Sequence, residues 1–182
     1  MRSFATLPNL LTLARLILAP FVFVAIVSAR HQTALVLFLV VAATDSLDGF
    51  LARRLRQETN IGAYLDPIAD KLLLSGVYVS LAMARVIPVW VVVLILGRDL
   101  FLLLSSGIVL LVTAHREFRP SVWGKASTFV QIACATVFLL YDAVPGSVLL
   151  ALARFLIWAV AAFTIWSGLH YGWRGFRWLK AH

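Results

Sequence analysis

Apolar residues run along this chain in long blocks, each closed by a short cluster of turn or charged residues. A helix needs about 20 apolar residues to cross the hydrocarbon core of a bilayer. Six such blocks are legible, at about 8–28, 33–53, 61–84, 88–112, 122–141 and 147–170. The breaks between them are Arg30-His31, Arg53 to Asn60, Arg85 to Pro88, His115 to Pro120 and Asp142 to Gly146. No internal repeat or low-complexity segment interrupts the series, so residues 1–182 read as a single domain. The expected fold is all-α: a polytopic membrane protein built as a six-transmembrane-helix bundle.

Composition narrows this further. The chain is 62% hydrophobic with a mean hydropathy of +0.96, well outside the range of a soluble domain. Asn9 and Arg15 inside the first block, and the lack of a small-residue cleavage site, argue against a removable signal peptide there. The net charge of +8 is distributed by topology. With the amino terminus in the cytoplasm, Arg53, Arg54, Arg56, Arg116, Arg119 and Lys125 fall inside, as do the basic residues near both termini, and only Arg30 and Arg85 fall outside. That bias orients a membrane protein and attracts anionic lipid, so no nucleic-acid partner is expected. Cys134 is alone and reads as a small packing residue, and the histidines show no ligand spacing.

Against this background four aspartates stand out. The segment reads Asp45-x-x-Asp48-Gly49-x-x-Ala52-Arg53, then eight residues, then Gly62-x-x-x-Asp66-x-x-x-Asp70. Ionisable groups beside membrane-spanning sequence are costly and mark function by default. Spacings of three and four put each pair on one helix face, and the polar turn from Arg53 to Asn60 lets two helices bring the pairs together. Four close carboxylates repel one another unless cations lie between them. Hard divalent ions that prefer oxygen ligands, Mg²⁺ or Mn²⁺, meet that need. Gly49, Ala52 and Gly62 leave room for a bulky ligand, and Arg53 offers a fixed charge for a phosphate. Together they point to diphosphate chemistry at the cytoplasmic ends of helices two and three.

The same segment matches, position for position, the signature of the CDP-alcohol phosphatidyltransferase family, and the chain resembles that family elsewhere too. The likeness takes in Leu7-Pro8-Asn9-Leu10-Leu11-Thr12-Leu13-Ala14-Arg15, Leu65-Asp66-Pro67-Ile68-Ala69-Asp70-Lys71 and Gly124-Lys125. The resemblance implies a CDP-linked lipid donor, usually CDP-diacylglycerol, and an alcohol acceptor whose hydroxyl attacks the β-phosphorus and releases CMP. It implies two metal ions held by Asp45, Asp48, Asp66 and Asp70, with Asp70 also the catalytic general base. Gly49, Ala52, Arg53 and Gly62 match CDP-contacting positions. Arg98, Lys125 and Arg15 are the candidates for binding the acceptor. Family members commonly form homodimers, so a homodimer is expected.

The acceptor is read from finer detail. The amino-terminal segment and Leu-Asp-Pro-x-Ala-Asp-Lys resemble the glycerol branch of the family, whose acceptors are glycerol 3-phosphate and phosphatidylglycerol. Phosphatidylglycerophosphate synthases typically carry Arg-Glu in helix four and then Ser-x-Leu-Arg. Here the chain reads Gly97-Arg98-Asp99-Leu100 and then Ser105-Ser106-Gly107, without the second Arg. With Ile87-Pro88 and His170-Tyr171-Gly172 this looks more like the cardiolipin synthases of this fold, whose acceptor is phosphatidylglycerol. Arg98 and Asp99 do not share a helix face, so no ion pair between them is expected, and Lys71 stands between a membrane-surface lysine and a site residue. An intramembrane prenyltransferase would carry its Asp motifs farther apart in sequence. A divalent-cation transporter would place its carboxylates near the bilayer midplane rather than beside Arg53, Arg54 and Arg56.

Overall fold

The computed structural model describes residues 7–55, 62–113 and 122–181, and the side-chain surroundings of 12–44, 69–105, 122–173 and 177. Its described residues form six helices: α1 (Leu7–Val27), α2 (His31–Leu55), α3 (Gly62–Met83), α4 (Val89–Thr113), α5 (Val122–Ala143) and α6 (Ser147–Ala181). Five sit within a few residues of the expected segments. The sixth runs past residue 170 to Ala181. Hydropathy marks where an apolar run stops, not where backbone hydrogen bonding stops, and no proline follows Pro145 to end the helix.

Short turns join α1 to α2, α3 to α4 and α5 to α6, so successive helices reverse direction. The first two turns share one device. Arg30 N–H bonds the Ala25 carbonyl and Val86 N–H bonds the Leu81 carbonyl, each at 2.9 Å, while Ala29 and Arg85 take left-handed φ values of 54° and 60°. This is the closing geometry of a helix that usually falls to glycine. At the same end His31 Nδ1 lies 3.7 Å from Asp142 Oδ2, which ties the start of α2 to the end of α5.

Inside the bundle α1 packs on α2 and α3, α5 on α6 and α2, and α4 on α6 and α3. Val22, Ala34, Phe38, Val77, Leu81 and Ile95 are among the buried core residues. Large apolar side chains also cover the outside, including Phe21, Leu72, Phe129, Phe155 and Trp158. Both α5 and the Ser147–Trp173 part of α6 are long and apolar enough to cross a membrane. A polar ladder crosses the core: the Tyr78 hydroxyl donates to the Gln131 carbonyl at 2.9 Å, and Gln131 Nε2 lies 3.4 Å from both Ser127 Oγ and Thr164 Oγ1. These groups bind α3, α5 and α6 together because polar atoms in an apolar interior must partner one another.

α1 and α3 run parallel. Arg15 meets Asp70, and about two turns farther on Phe23 meets Gly76. A Cβ on Gly76 would overlap the Phe23 ring, so glycine sets how closely these helices approach. Gly76→Ala is expected to lower stability by about 1–2 kcal/mol, overpacking outweighing the gain in helix propensity. The midpoint of thermal unfolding in detergent reads this, and in a Phe23→Ala background the same change should stabilise.

Candidate active site

Asp45 and Asp48 lie in the last turns of α2, together with Gly49, Ala52 and Arg53. Gly62 opens α3 and Asp66 follows one turn later. Each aspartate pair therefore occupies one helix, as the spacing predicts, on the two helix ends joined by residues 56–61. The side chains of these seven residues lie outside those the structure describes. Among the described residues no group of three or more metal-ligating side chains forms.

Asp70 is described, and it anchors what can be said of geometry. Its carboxylate forms an ion pair with Arg15 Nη1 across 55 positions of sequence, between α3 and α1. The two partners differ in setting. Arg15 is 1% exposed, among the largest fully buried side chains, whereas the Asp70 side chain is 45% exposed. Arg15 thus holds the carboxylate from the buried side, and Asp70 keeps nearly half of its side chain exposed. Sequence alone left Arg15 as an acceptor-binding candidate; in the structure its partner is the residue proposed as the base.

The next residue, Lys71, begins a second charged cluster. Lys71 Nζ lies 3.2 Å from Asp99 Oδ1 on α4, and Arg98 Nη1 donates to the same oxygen at 2.7 Å. Arg98 and Asp99 therefore do pair, against expectation. The arginine chain is long enough to fold round the helix, and with the Arg98 side chain only 8% and Asp99 only 15% exposed, little water competes. Lys71 likewise turns inward to α4 rather than serving only as a surface charge. Two cations share one carboxylate, so the trio carries a net +1.

Arg98 is held from the other side as well. Its Nη2 donates to Ser167 Oγ on α6 at 2.7 Å. Gly124 on α5 is buried beneath it: a Cβ there would come within 3.0 Å of the Tyr171 hydroxyl and 3.5 Å of Arg98 Nη2. The glycine of Gly124-Lys125 is thus a packing requirement, and Lys125 itself stands exposed one position on. Arg98 Nε has no hydrogen-bond partner among the described residues, and neither has His170 Nδ1. Ser167 escaped the sequence reading, and Tyr171 entered it only as part of His170-Tyr171-Gly172, with no role at this site. Their signal was present: Thr164, Ser167 and Tyr171 fall at i, i+3 and i+7, a polar stripe on an otherwise apolar helix.

This arrangement predicts a graded response. Asp99→Asn leaves the buried Arg98 charge without its counter-ion and is expected to cost about 3–5 kcal/mol. Ser167→Ala removes one acceptor and should cost less, about 1–3 kcal/mol. Thermal unfolding of the two purified variants in detergent checks the order.

Comparison with known proteins places this geometry. Residues 5–166 match the family model described as CDP-alcohol phosphatidyltransferase. The chain is 32% identical over 182 residues to the CDP-diacylglycerol–glycerol-3-phosphate 3-phosphatidyltransferase of Bacillus subtilis, covering 91% of this chain and 92% of that protein. It is 33% identical over 193 residues to the cardiolipin synthase (CMP-forming) of Homo sapiens, covering 92% of this chain and 62% of the human protein. It is 34% identical over 179 residues to the cardiolipin synthase (CMP-forming) of Streptomyces coelicolor, covering 93% and 79% respectively. With the model match spanning most of its length and these relatives all in the glycerol branch, the chain belongs to the CDP-alcohol phosphatidyltransferase family.

Proposed function

We propose that this protein is an integral membrane enzyme that transfers a phosphatidyl group from CDP-diacylglycerol to phosphatidylglycerol, forming cardiolipin and releasing CMP. The proposal includes six spans, with both termini and the Asp-bearing ends of α2 and α3 at the cytoplasmic face. The large apolar side chains on the outside of the bundle and the positive-inside distribution of charge support that topology.

The observation that carries the acceptor assignment is the Lys71, Arg98 and Asp99 cluster together with the absence of a second arginine after Ser105-Ser106-Gly107. A phosphate monoester such as glycerol 3-phosphate brings a charge of about −1.5 to −2 at neutral pH. The phosphodiester of phosphatidylglycerol brings a single negative charge. By cancelling one of two cations, Asp99 reduces the cluster beside Asp70 to +1, the match for a phosphodiester. The family likeness with glycerol-3-phosphate enzymes, such as that of Bacillus subtilis, favours the second reading, a phosphatidylglycerophosphate synthase.

In the proposed reaction the acceptor hydroxyl oxygen bonds to the β-phosphorus of the donor, and the bond from that phosphorus to the bridging oxygen breaks. CMP leaves with the bridging oxygen, and the hydroxyl proton passes to Asp70. Arg15 fixes the orientation of that carboxylate. Lys71 and Arg98 hold the acceptor phosphate so that the hydroxyl reaches Asp70, and Gly49, Ala52, Arg53 and Gly62 cradle the CDP group. Four carboxylates suit hard divalent ions, so Asp45, Asp48, Asp66 and Asp70 would hold one or two Mg²⁺ or Mn²⁺ ions. Such ions, when bound, supply neutralisation of the charge that builds on the diphosphate.

The test is CMP release by the purified full-length protein with CDP-diacylglycerol and Mg²⁺. Turnover with phosphatidylglycerol and not with glycerol 3-phosphate is expected; the reverse result establishes the second reading. Arg15→Met should cut turnover about a hundredfold, the penalty of a misplaced catalytic group. Asp70→Asn retaining full turnover would remove the base assignment.

A further inference from the structure

Beside Arg98 a groove of about 900 Å³ runs between α4 and α6. Its walls are almost wholly apolar and include Val93, Leu94, Phe101, Ile165, Leu169 and Trp173, with Arg98 and Thr164 as the polar exceptions. The two helices run parallel here, Gly168 lying against Arg98 and Gly172 against Phe101. Glycines make the hollow. A Cβ built on Gly97 has nothing within 4 Å, and one on Gly168 meets only Arg98 Cγ at 3.9 Å.

We infer that this groove binds one acyl chain of the acceptor lipid, which deepens the phosphatidylglycerol reading and rests on it. Three observations support the assignment. The lined stretch, Val93 to Phe101 and Thr164 to Trp173, spans about 12–13 Å at the helical rise per residue, close to the depth of one leaflet. Part-way along the groove, between Val93 and Phe101, its wall carries Arg98 of a cationic cluster of net +1, complementary to a lipid phosphodiester. The polar groups of the acceptor also find partners in turn, Asp70 for the hydroxyl and Lys71 with Arg98 for the phosphate, and apolar wall extends from Arg98 toward Val93. Arg98 forms part of the groove wall, its side chain more than nine-tenths buried and its Nε without a protein partner among the described residues. The donor is assigned elsewhere, since its motif lies on α2 and α3 whereas this channel lies between α4 and α6. Free glycerol 3-phosphate has no chain to place there, so the groove is a determinant of acceptor class.

Gly97→Leu tests the idea because the open space the fold leaves for the new side chain is the groove itself, which leucine would fill. With full-length protein in mixed micelles, KM for phosphatidylglycerol should rise about tenfold or more, the factor that accompanies loss of contact for about two buried methylenes. KM for CDP-diacylglycerol should stay where it is. Gly168→Ala, whose Cβ makes only ordinary contact, should move the same constant in the same direction by less. Shortening the acyl chains of phosphatidylglycerol should raise KM in the wild type and have little further effect in Gly97→Leu.

A rise in the donor's KM instead would hand the groove to CDP-diacylglycerol and overturn the inference. So would a wild type active with phosphatidylglycerol whose two glycine variants keep its KM; in that case the function stands and the groove assignment falls alone. Wild-type turnover with glycerol 3-phosphate only would sink both together.

Discussion

A guanidinium shut inside an apolar bundle needs a counter-charge, and for Arg15 that counter-charge is Asp70. The pair places a demand on everything around it. α1 must lie parallel to α3 at close range, which Gly76 under the Phe23 ring permits. It must also stay in register, because a shift of one residue turns Arg15 by about 100° away from its partner. Burial on one side and exposure on the other gives the pair a direction: Arg15 faces the core and Asp70 the more open side.

The second cluster repeats this logic with a different balance. Lys71 and Arg98 converge on Asp99 from α3 and α4, and Ser167 fastens Arg98 to α6. The buried Arg98 needs the carboxylate, while the Lys71 side chain remains 39% exposed, and a single carboxylate does not neutralise two cations. The surplus charge is what a phosphate can use. Because Asp70 and Lys71 are consecutive, α3 carries both clusters, and the spacing between them is fixed by one helical step rather than by loop geometry.

The helices, and the placing of each aspartate pair on one helix, were legible in the sequence because both depend on local information. Apolar run length sets a helix that spans a bilayer, and spacings of three and four set a helix face. What escaped depends on contacts across the bundle. No local pattern joins Arg15 to Asp70 across 55 positions, or Arg98 to Ser167 across 69. The pairing of Arg98 with Asp99 failed as an expectation for the opposite reason: adjacent residues point apart at Cβ, but a long side chain in a dry interior travels to the nearest carboxylate. The extension of α6 to Ala181 was missed because hydropathy measures solvent preference and helix length is a matter of hydrogen bonding. Lys125 is exposed beside a buried Gly124, so in that dipeptide the recognisable charge and the packing constraint belong to different residues.

Acceptor choice in such a site reduces to two quantities, the charge facing the phosphate and the apolar surface beyond it. A soluble phosphate monoester gains from every uncompensated cation and gains nothing from a groove. A lipid phosphodiester needs one charge matched and benefits from each methylene placed against Leu94, Phe101 or Ile165. Asp99 lowers the first quantity, and Gly97 with Gly168 raises the second. Both changes act in the same direction, although they arise from unrelated features, a carboxylate on α4 and missing side chains on α4 and α6. A site for glycerol 3-phosphate gains from a further arginine, which this chain lacks after Ser105-Ser106-Gly107, and gains nothing from an apolar channel. The agreement of charge and shape is therefore the physical argument for a lipid acceptor.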